Sequence, residues 1–437
     1  MRLFDLSLRF NGFDIRKAKS TLKQIQQIPE VEYKSYVHRK RKEVLEFHLK
    51  HNAYYNRLAS NVNTEDWNTV PVLTKSQLQT SLNNRLSDGY STTSVYTNKT
   101  SGSSGHPFTF AKDKWCHALT WAVIMNRFSW YNIDFNTSKQ ARFYCIPLDK
   151  KGFVKERLKD ALSQRTRFSV FDLSDQAFES ILDSFSRKKF IYINGYTSAI
   201  VQFAKFLKRQ NIVLKSICPS LRCCMVTSEM LFDEDRELME IQFGVPVVNE
   251  YGASELDLIA FENPQSEWIV NSETLFVEIL DNTNTPLPLG EEGRIVITSL
   301  YNKAHPFIRY DIGDVGMLSE HSTLKNPILK KLIGRTNDLI TLPSGKRAAG
   351  LTFYYITKSI IEDDGSVKEF VIEQHALDQF TIKYVSERPV LKEKLSLIKD
   401  EIKRYLEDNI NITFKHCHSL KRSSSGKLKQ FTSFVTN

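Results

Sequence analysis

Between residues 94 and 250, short continuously apolar runs alternate with segments of helical period, and few folds accommodate that alternation. The runs at 142–146, 190–193, 221–226 and 245–249 read as strands, and 174–187, 197–209 and 232–243 as the helices between them. A strand that is apolar on both faces must be covered on both, which calls for a parallel, doubly wound sheet with helices on either side. Ligands of such sheets sit beyond the carboxyl ends of the strands. Upstream, residues 1–90 read as helical, with Val44, Leu45, His48 and Leu49 at helix spacing. After residue 270 the pattern turns strand-rich, with runs at 275–280, 293–298, 315–319 and 329–333. The last hundred residues read as a small α+β unit, with helices near 350–361 and 391–407 and strands near 367–373, 379–385 and 410–416. The expected fold class is α/β: a large domain over 1–334 and a small C-terminal domain over 335–437. The large domain divides into a helical lead-in (1–90), an α/β part (91–270) and a strand-rich subdomain (271–334). A chain of 437 residues has room for this division.

Three segments carry candidate chemistry at the expected strand ends. Thr100-Ser101-Gly102-Ser103-Ser104-Gly105-His106-Pro107 is a hydroxyl- and glycine-rich loop. Glycines let the backbone approach phosphate oxygens and turn N–H groups inward, and the hydroxyls add donors on the same arc. No Gly-Lys-Ser/Thr ends it, so it is not a Walker A loop; read alone, it serves equally as a flexible surface connection. In Asn249-Glu250-Tyr251-Gly252-Ala253-Ser254-Glu255, a tyrosine on a glycine-containing turn can stack on a purine, and Glu255 can hold Mg²⁺ beside phosphate oxygens. In His305-Pro306-Phe307-Ile308-Arg309-Tyr310-Asp311-Ile312-Gly313-Asp314, an aspartate after a turn can accept two ribose hydroxyls. The last two also read as plain turns. Two further stretches, Gly334-Arg335-Thr336-Asn337-Asp338 and Ser423-Ser424-Ser425-Gly426-Lys427, follow in order.

In that order the elements resemble the adenylate-forming superfamily of acyl- and aryl-CoA ligases, adenylation domains and luciferases, over roughly residues 90–430. The stretch 291–300, followed by Pro306-Phe307-Ile308-Arg309-Tyr310, is similar to the phenylacetate–CoA ligase branch, as is His48 followed by Ala53-Tyr54-Tyr55-Asn56-Arg57. Asn194-Gly195-Tyr196-Thr197-Ser198 and Thr227-Ser228-Glu229 are similar to the group of that branch found with capsular polysaccharide biosynthesis. The resemblance implies ATP-dependent activation of a carboxylic acid as acyl-adenylate, release of pyrophosphate, and transfer to coenzyme A. The alternatives are transfer to an amine or hydroxyl, with an amine or amino-sugar acceptor, and a degenerate protein that only binds. By matching positions, Thr100, Ser101, Gly102, Ser103, Ser104 and Gly105 would hold phosphates. Thr227, Ser228, Glu229, Asn249, Glu250, Tyr251 and Gly252 would bound the adenine. Asp314, with Arg335, would hold the ribose, Glu255 would position Mg²⁺, and Lys427 would reach the carboxylate and the α-phosphate. The acid would sit near Asn194, Tyr196 and Ala253 and the loop after Ile146. The C-terminal domain would be mobile, turning at Asn337, where the family usually carries an acidic residue.

The formal net charge is +10, concentrated in residues 1–60 around Arg39-Lys40-Arg41-Lys42. That cluster reads as a solvated helix face, with an anionic partner or peripheral contact with an acidic membrane as the sharper readings. No recognition motif accompanies it, so no nucleic-acid partner is expected. No apolar run reaches the ~18 residues of a membrane span, and no signal-peptide core opens the chain, so a cytoplasmic monomer or homodimer is expected. The six cysteines form no C-x-x-C pair, and Cys223 and Cys224 read as core hydrophobes. Zinc is not expected.

Overall fold

The structure is a computed structural model that describes residues 3–100, 108–144, 160, 163–170, 173–335, 339–344, 347–349, 367–386, 388–422 and 428–435. By its internal contacts the chain divides into two compact units, Met1–Ile312 with Met317–Lys331, and Gly313–Gly316 with Leu332–Asn437.

The first unit opens with helices Leu3–Phe10, Ile15–Gln26, Glu30–His51 and Ala53–Leu58. In the basic cluster on Glu30–His51, Lys40 pairs with Glu43 at 2.6 Å and Lys42 with Glu65. Arg41 turns inward instead. Its guanidinium lies 4.6 Å from the Trp67 ring and 4.4 Å from the Phe276 ring, so this charge holds the helix to the strand-rich part.

Strands β1 (Tyr96–Lys99) and β2 (Thr109–Lys112) form an antiparallel hairpin. The next seven strands build the central sheet: β3 (Gln140–Phe143), β4 (Arg165–Phe168), β5 (Tyr192–Tyr196), β6 (Cys223–Thr227), β7 (Val247–Ala253), β8 (Asp257–Glu262) and β9 (Trp268–Val270). Their order is β4-β3-β5-β6-β7-β8-β9, with β4 through β7 parallel and β8 and β9 antiparallel. Side chains alternate between the faces. Phe143, Ile193, Cys224, Val226 and Val247 share a core with residues of helices Asp175–Arg187, Thr197–Arg209 and Asp233–Phe243. Tyr192, Cys223, Met225, Val248 and Phe261 share another with helices Ile15–Gln26 and Lys114–Ser129. Both faces are covered, which is why these strands read as unbroken apolar runs, and the fold class is the α/β arrangement expected. Gly195 in β5 admits no side chain, because a Cβ there would lie 2.4 Å from the Phe143 carbonyl oxygen.

Strands β10 (Leu275–Leu280), β11 (Gly293–Ser299), β12 (Tyr310–Leu318) and β13 (Leu329–Arg335) form a four-stranded sheet in that order. β14 (Leu339–Thr341) and β15 (Arg347–Ala349) make a short hairpin. In the second unit β16 (Val367–Ala376), β17 (Gln379–Ser386), β18 (Asn411–Cys417) and β19 (Phe431–Ser433) order as β18-β17-β16-β19. Helix Lys392–Tyr405 makes the crossover between the parallel pair β17 and β18, burying Ile398 and Ile402. The helix expected near 350–361 lies outside the described residues.

Candidate functional site

The carboxyl ends of β5, β6 and β7 lie side by side, and the parallel register aligns Tyr196 with Thr227 and Thr227 with Glu250. One step back along the same face, Arg142 aligns with Asn194 and Asn194 with Met225. Tyr196, Thr227 and Glu250, expected from three distant segments, therefore form one row, and Asn194 stands in the row behind it. Asn194 is buried and fixed in orientation: its Oδ1 accepts from Gln140 Nε2 at 3.1 Å and its Nδ2 donates to the Met225 carbonyl at 3.3 Å. The Tyr196 ring lies 4.6 Å from that of Tyr144.

Thr227 ends β6, and Ser228 after it takes φ 72°, a left-handed conformation costly for a residue with a Cβ. The turn it makes delivers Glu229 to the start of helix Thr197–Arg209. There the Glu229 carboxylate accepts the Ser198 backbone N–H at 2.7 Å, supplying the cap that Tyr196 at the N-cap does not. Glu250 accepts a hydrogen bond from Thr227; desolvation raises its carboxyl above the usual range, opposed by Thr227 and Arg142. Asn249 donates its backbone N–H to Glu262 at 2.8 Å. Tyr251 is buried, its ring 6.0 Å from Trp268. A bulge separates Tyr251 from Gly252, and a Cβ on Gly252 would lie 2.5 Å from the Asp257 carbonyl oxygen, so only glycine closes this hairpin. Ala253 ends β7, and the turn beyond it carries Glu255.

Glu255 is 6% exposed, and its Oε1 accepts from the Tyr310 hydroxyl at 2.9 Å. This bond joins two of the motifs through side chains 55 residues apart. Arg309 places Tyr310. The Arg309 backbone has φ 43°, and its buried guanidinium donates to the carbonyls of Val70 at 2.9 Å and Asn284 at 3.2 Å, with Nε 3.4 Å from Glu278. Leu73 donates its N–H to the Arg309 carbonyl at 2.9 Å and accepts from Asp311 at 2.8 Å, bracketing Tyr310. Sequence reasoning noted Arg309 and Tyr310 as motif letters but gave them no task. The signal for the first was a charged residue inside an otherwise apolar turn.

The hydroxyl-rich loop springs from the β1–β2 hairpin. Thr100 closes its stem: its N–H donates to the Phe108 carbonyl at 2.9 Å, and its hydroxyl accepts from the Phe108 N–H at 3.1 Å. Just beyond, buried Lys112 pairs with Asp257, tying the hairpin to the β7–β8 turn. This pair was not foreseen. Behind it the His117 ring stacks on Tyr96 at 3.9 Å, and burial lowers its pKa to about 4.

Asp314 is buried on β12, in the stretch that clusters with the second unit. Arg335 ends β13, and its side chain is outside the described set. Ser101, Gly102, Ser103, Ser104 and Gly105, the loop after Ile146, Asn337 and Lys427 lie outside the described residues. Among the described residues, no group of three or more His, Cys, Asp or Glu could hold a metal ion, and no helix is long and apolar enough to cross a membrane.

Residues 345–433 match the family described as CapK C-terminal domain. Over 289 residues, 64% of the chain and 61% of the relative, the sequence is 24% identical to Protein CapK of Staphylococcus aureus. Over 211 residues, 45% of the chain and 47% of the relative, it is 25% identical to phenylacetate-coenzyme A ligase of Aromatoleum evansii. The chain thus matches less than two thirds of the length of either curated relative. In structure it is similar to 2-hydroxyisobutyryl-CoA ligase in the postadenylation state in complex with 2-HIB-AMP. The TM-score is 0.70 at 15% identity, covering 93% of this chain and 90% of that one. The chain therefore has the fold of the adenylate-forming CoA ligases, and its sequence is similar to Protein CapK and to phenylacetate-coenzyme A ligases.

Proposed function

We propose that the protein joins a carboxylic acid to ATP, releasing pyrophosphate, and passes the acyl group to coenzyme A. The carboxylate oxygen attacks the α-phosphorus, the α–β phosphoanhydride bond breaks, and pyrophosphate leaves. The thiol sulfur of coenzyme A then takes the acyl carbon, and AMP departs. The observation that carries the reading is the Tyr310–Glu255 hydrogen bond at 2.9 Å, which holds a buried carboxylate where the parallel strands end.

Anion must meet anion in the first step, so the site has to neutralise charge before reaction. Glu255 fits a magnesium ion. One carboxylate with nucleotide phosphates is the usual donor set for Mg²⁺, and the Tyr310 bond occupies Oε1 while leaving Oε2 for the cation. When bound, the ion supplies charge neutralisation at the phosphates. Thr227, Ser228, Glu229 and Asn249–Gly252 bound the adenine; Thr100 with Ser101–Gly105 binds the phosphates; Asp314 and Arg335 hold the ribose. Lys427, on a C-terminal domain beginning near residue 335, completes the site, with Asn337 as the pivot. The acid rests against Asn194, Tyr196 and Ala253. ATP and coenzyme A place the reaction in the cytoplasm.

The test is ATP–pyrophosphate exchange over a panel of carboxylic acids, followed by product analysis with and without coenzyme A. Exchange that needs an acid and is lost in Glu255→Gln supports the reading. Turnover that ignores coenzyme A but needs an amine or sugar acceptor would replace its second half. Absence of exchange with every acid would overturn it.

A further inference from the structure

Three arginines stand side by side in the wall beside Asn194. Arg165 and Arg167 lie on β4 and Arg142 on β3, with Arg142 in register with Arg167 on one side and Asn194 on the other. The first two share a carboxylate. Asp160 accepts two bonds from Arg167, each 3.0 Å, and lies 3.6 Å from Arg165 Nε. Arg142 shares in neither. It stands 4.1 Å over the Tyr144 ring, its Nε is buried without a partner, and its guanidinium makes no hydrogen bond or ion pair among the described residues. Glu250 interacts with it electrostatically, but that carboxyl is pushed toward its neutral form by burial and steadied by Thr227. Arg165 is itself lowered to about 10, by burial first and by Arg142 next, as expected where cations crowd.

A guanidinium partly withdrawn from water and unpaired is destabilising, and its planar fork suits a carboxylate or a phosphate better than any neutral group. A site for a plain hydrocarbon or aromatic acid gains nothing from it. Tyr144 and Tyr196, with rings 4.6 Å apart, offer a flat wall along which the body of an acid can lie between the reacting carboxylate and Arg142.

We propose that the acid activated here carries a second anionic oxygen group, and that Arg142 receives it. The assignment rests on the reading that the acid lies against Asn194 and Tyr196.

The full chain is assayed by ATP–pyrophosphate exchange with matched acids: phenylacetate, 4-carboxyphenylacetate and 4-phosphonophenylacetate, and hexanoate with adipate. The wild type should favour the members with the second anion by about 10²-fold in kcat/KM, the usual scale for a buried charge pair. The carboxylate and phosphonate arms identify which anion it is. Arg142→Met should bring the ratio of anionic to neutral acid close to one, and Arg142→Lys should keep part of it. Binding of a non-hydrolysable ATP analogue by each variant shows that it has folded. Equal or better use of the neutral acids by the wild type, or an unchanged ratio in Arg142→Met, overturns this inference alone. Exchange with no acid overturns the parent reading and this one together.

Discussion

Replacing Tyr310 by Phe removes one oxygen and leaves the ring. That ring is fully buried and packs edge-on to Phe307 at 5.2 Å, so the substitution opens no cavity of consequence. What disappears is the donor to Glu255 Oε1, 2.9 Å away and nearly as buried. A hydrogen bond to a charged group contributes about 1.5–3 kcal/mol. Spent on holding the carboxylate that meets the cation, this corresponds to a loss of about 10- to 150-fold, at a factor of ten per 1.36 kcal/mol. The assay is pyrophosphate exchange against magnesium concentration at saturating ATP and acid. Tyr310→Phe should lower the rate within that range and raise the magnesium needed for half-maximal exchange. Added to Glu255→Gln it should cost little more, because both act through the same oxygen. Exchange in Tyr310→Phe that equals wild type at limiting magnesium would refute the positioning role, and a fully additive double variant would refute the shared route.

Three further outcomes are expected. Lys427→Ala should slow adenylate formation by about 10²–10³, the usual cost of a lost electrostatic donor, and pyrophosphate release at the wild-type rate in a single-turnover assay would contradict it. Lys112, 3% exposed in its side chain, is left without its counter-charge in Asp257→Asn. Denaturant unfolding should show a loss of about 3–5 kcal/mol, most of which the paired change with Lys112→Met restores; a larger loss in the double variant would contradict the pairing. Burial lowers His48 and His117 to about 4, and holds His305 well below its ordinary value. Between pH 6.5 and about 4 the unfolded chain takes up protons that the folded rings refuse, so stability is full above 6.5 and falls with pH. The scale for His48 and His117 is about 3 kcal/mol each, and an unfolding midpoint that stays level from pH 7 to 4.5 would contradict it.

The parts of the fold that sequence carried plainly are those fixed by local pattern. Helix Asp175–Arg187 falls where its spacing put it, capped by Ser174, and Thr197–Arg209 spans the expected residues. Three of the central strands were placed two residues early at their starts, because their carboxyl ends are polar, and the first two residues late, because β3 starts at Gln140. Asn194, Tyr196, Thr227 and Glu250 lay just past the expected apolar runs, whereas parallel pairing carries the strands through them to the site. Three strands of the central sheet were missed, among them the three-residue β9. β4 holds Arg165 and Arg167 and shows no apolar run, and β8 begins at Asp257 with φ 58°, which looks like a turn. β12 was expected from 315 but starts at Tyr310, because Leu73 pairs with the backbone on either side of that residue. No window of sequence contains both partners of that pairing. The motif letters were legible; the bond between Tyr310 and Glu255 was not.

The buried arginines separate the two uses of charge in this molecule. Arg309 meets Glu278 and two carbonyls; Arg127 meets Glu273 at 2.6 Å; Arg85 donates to the Thr109 carbonyl at 2.7 Å and to His305. Each is surrounded by acceptors from elements far away in sequence, so its charge is consumed in holding those elements together. Arg142 is the contrasting case. It has an aromatic ring beneath it and a tethered Asn194 beside it in register, but no acceptor among the described residues. Arg41 also has a buried Nε without an acceptor, but its guanidinium is enclosed by the Trp67 and Phe276 rings with the charge of Glu278 beside it, which ties it to the strand-rich part of the fold. At position 142 a charge with no use would be costly, and a methionine would fill the space at lower cost. The missing partner is therefore best supplied from outside the chain, and its position beside the Tyr144–Tyr196 wall makes the distal end of the substrate the candidate.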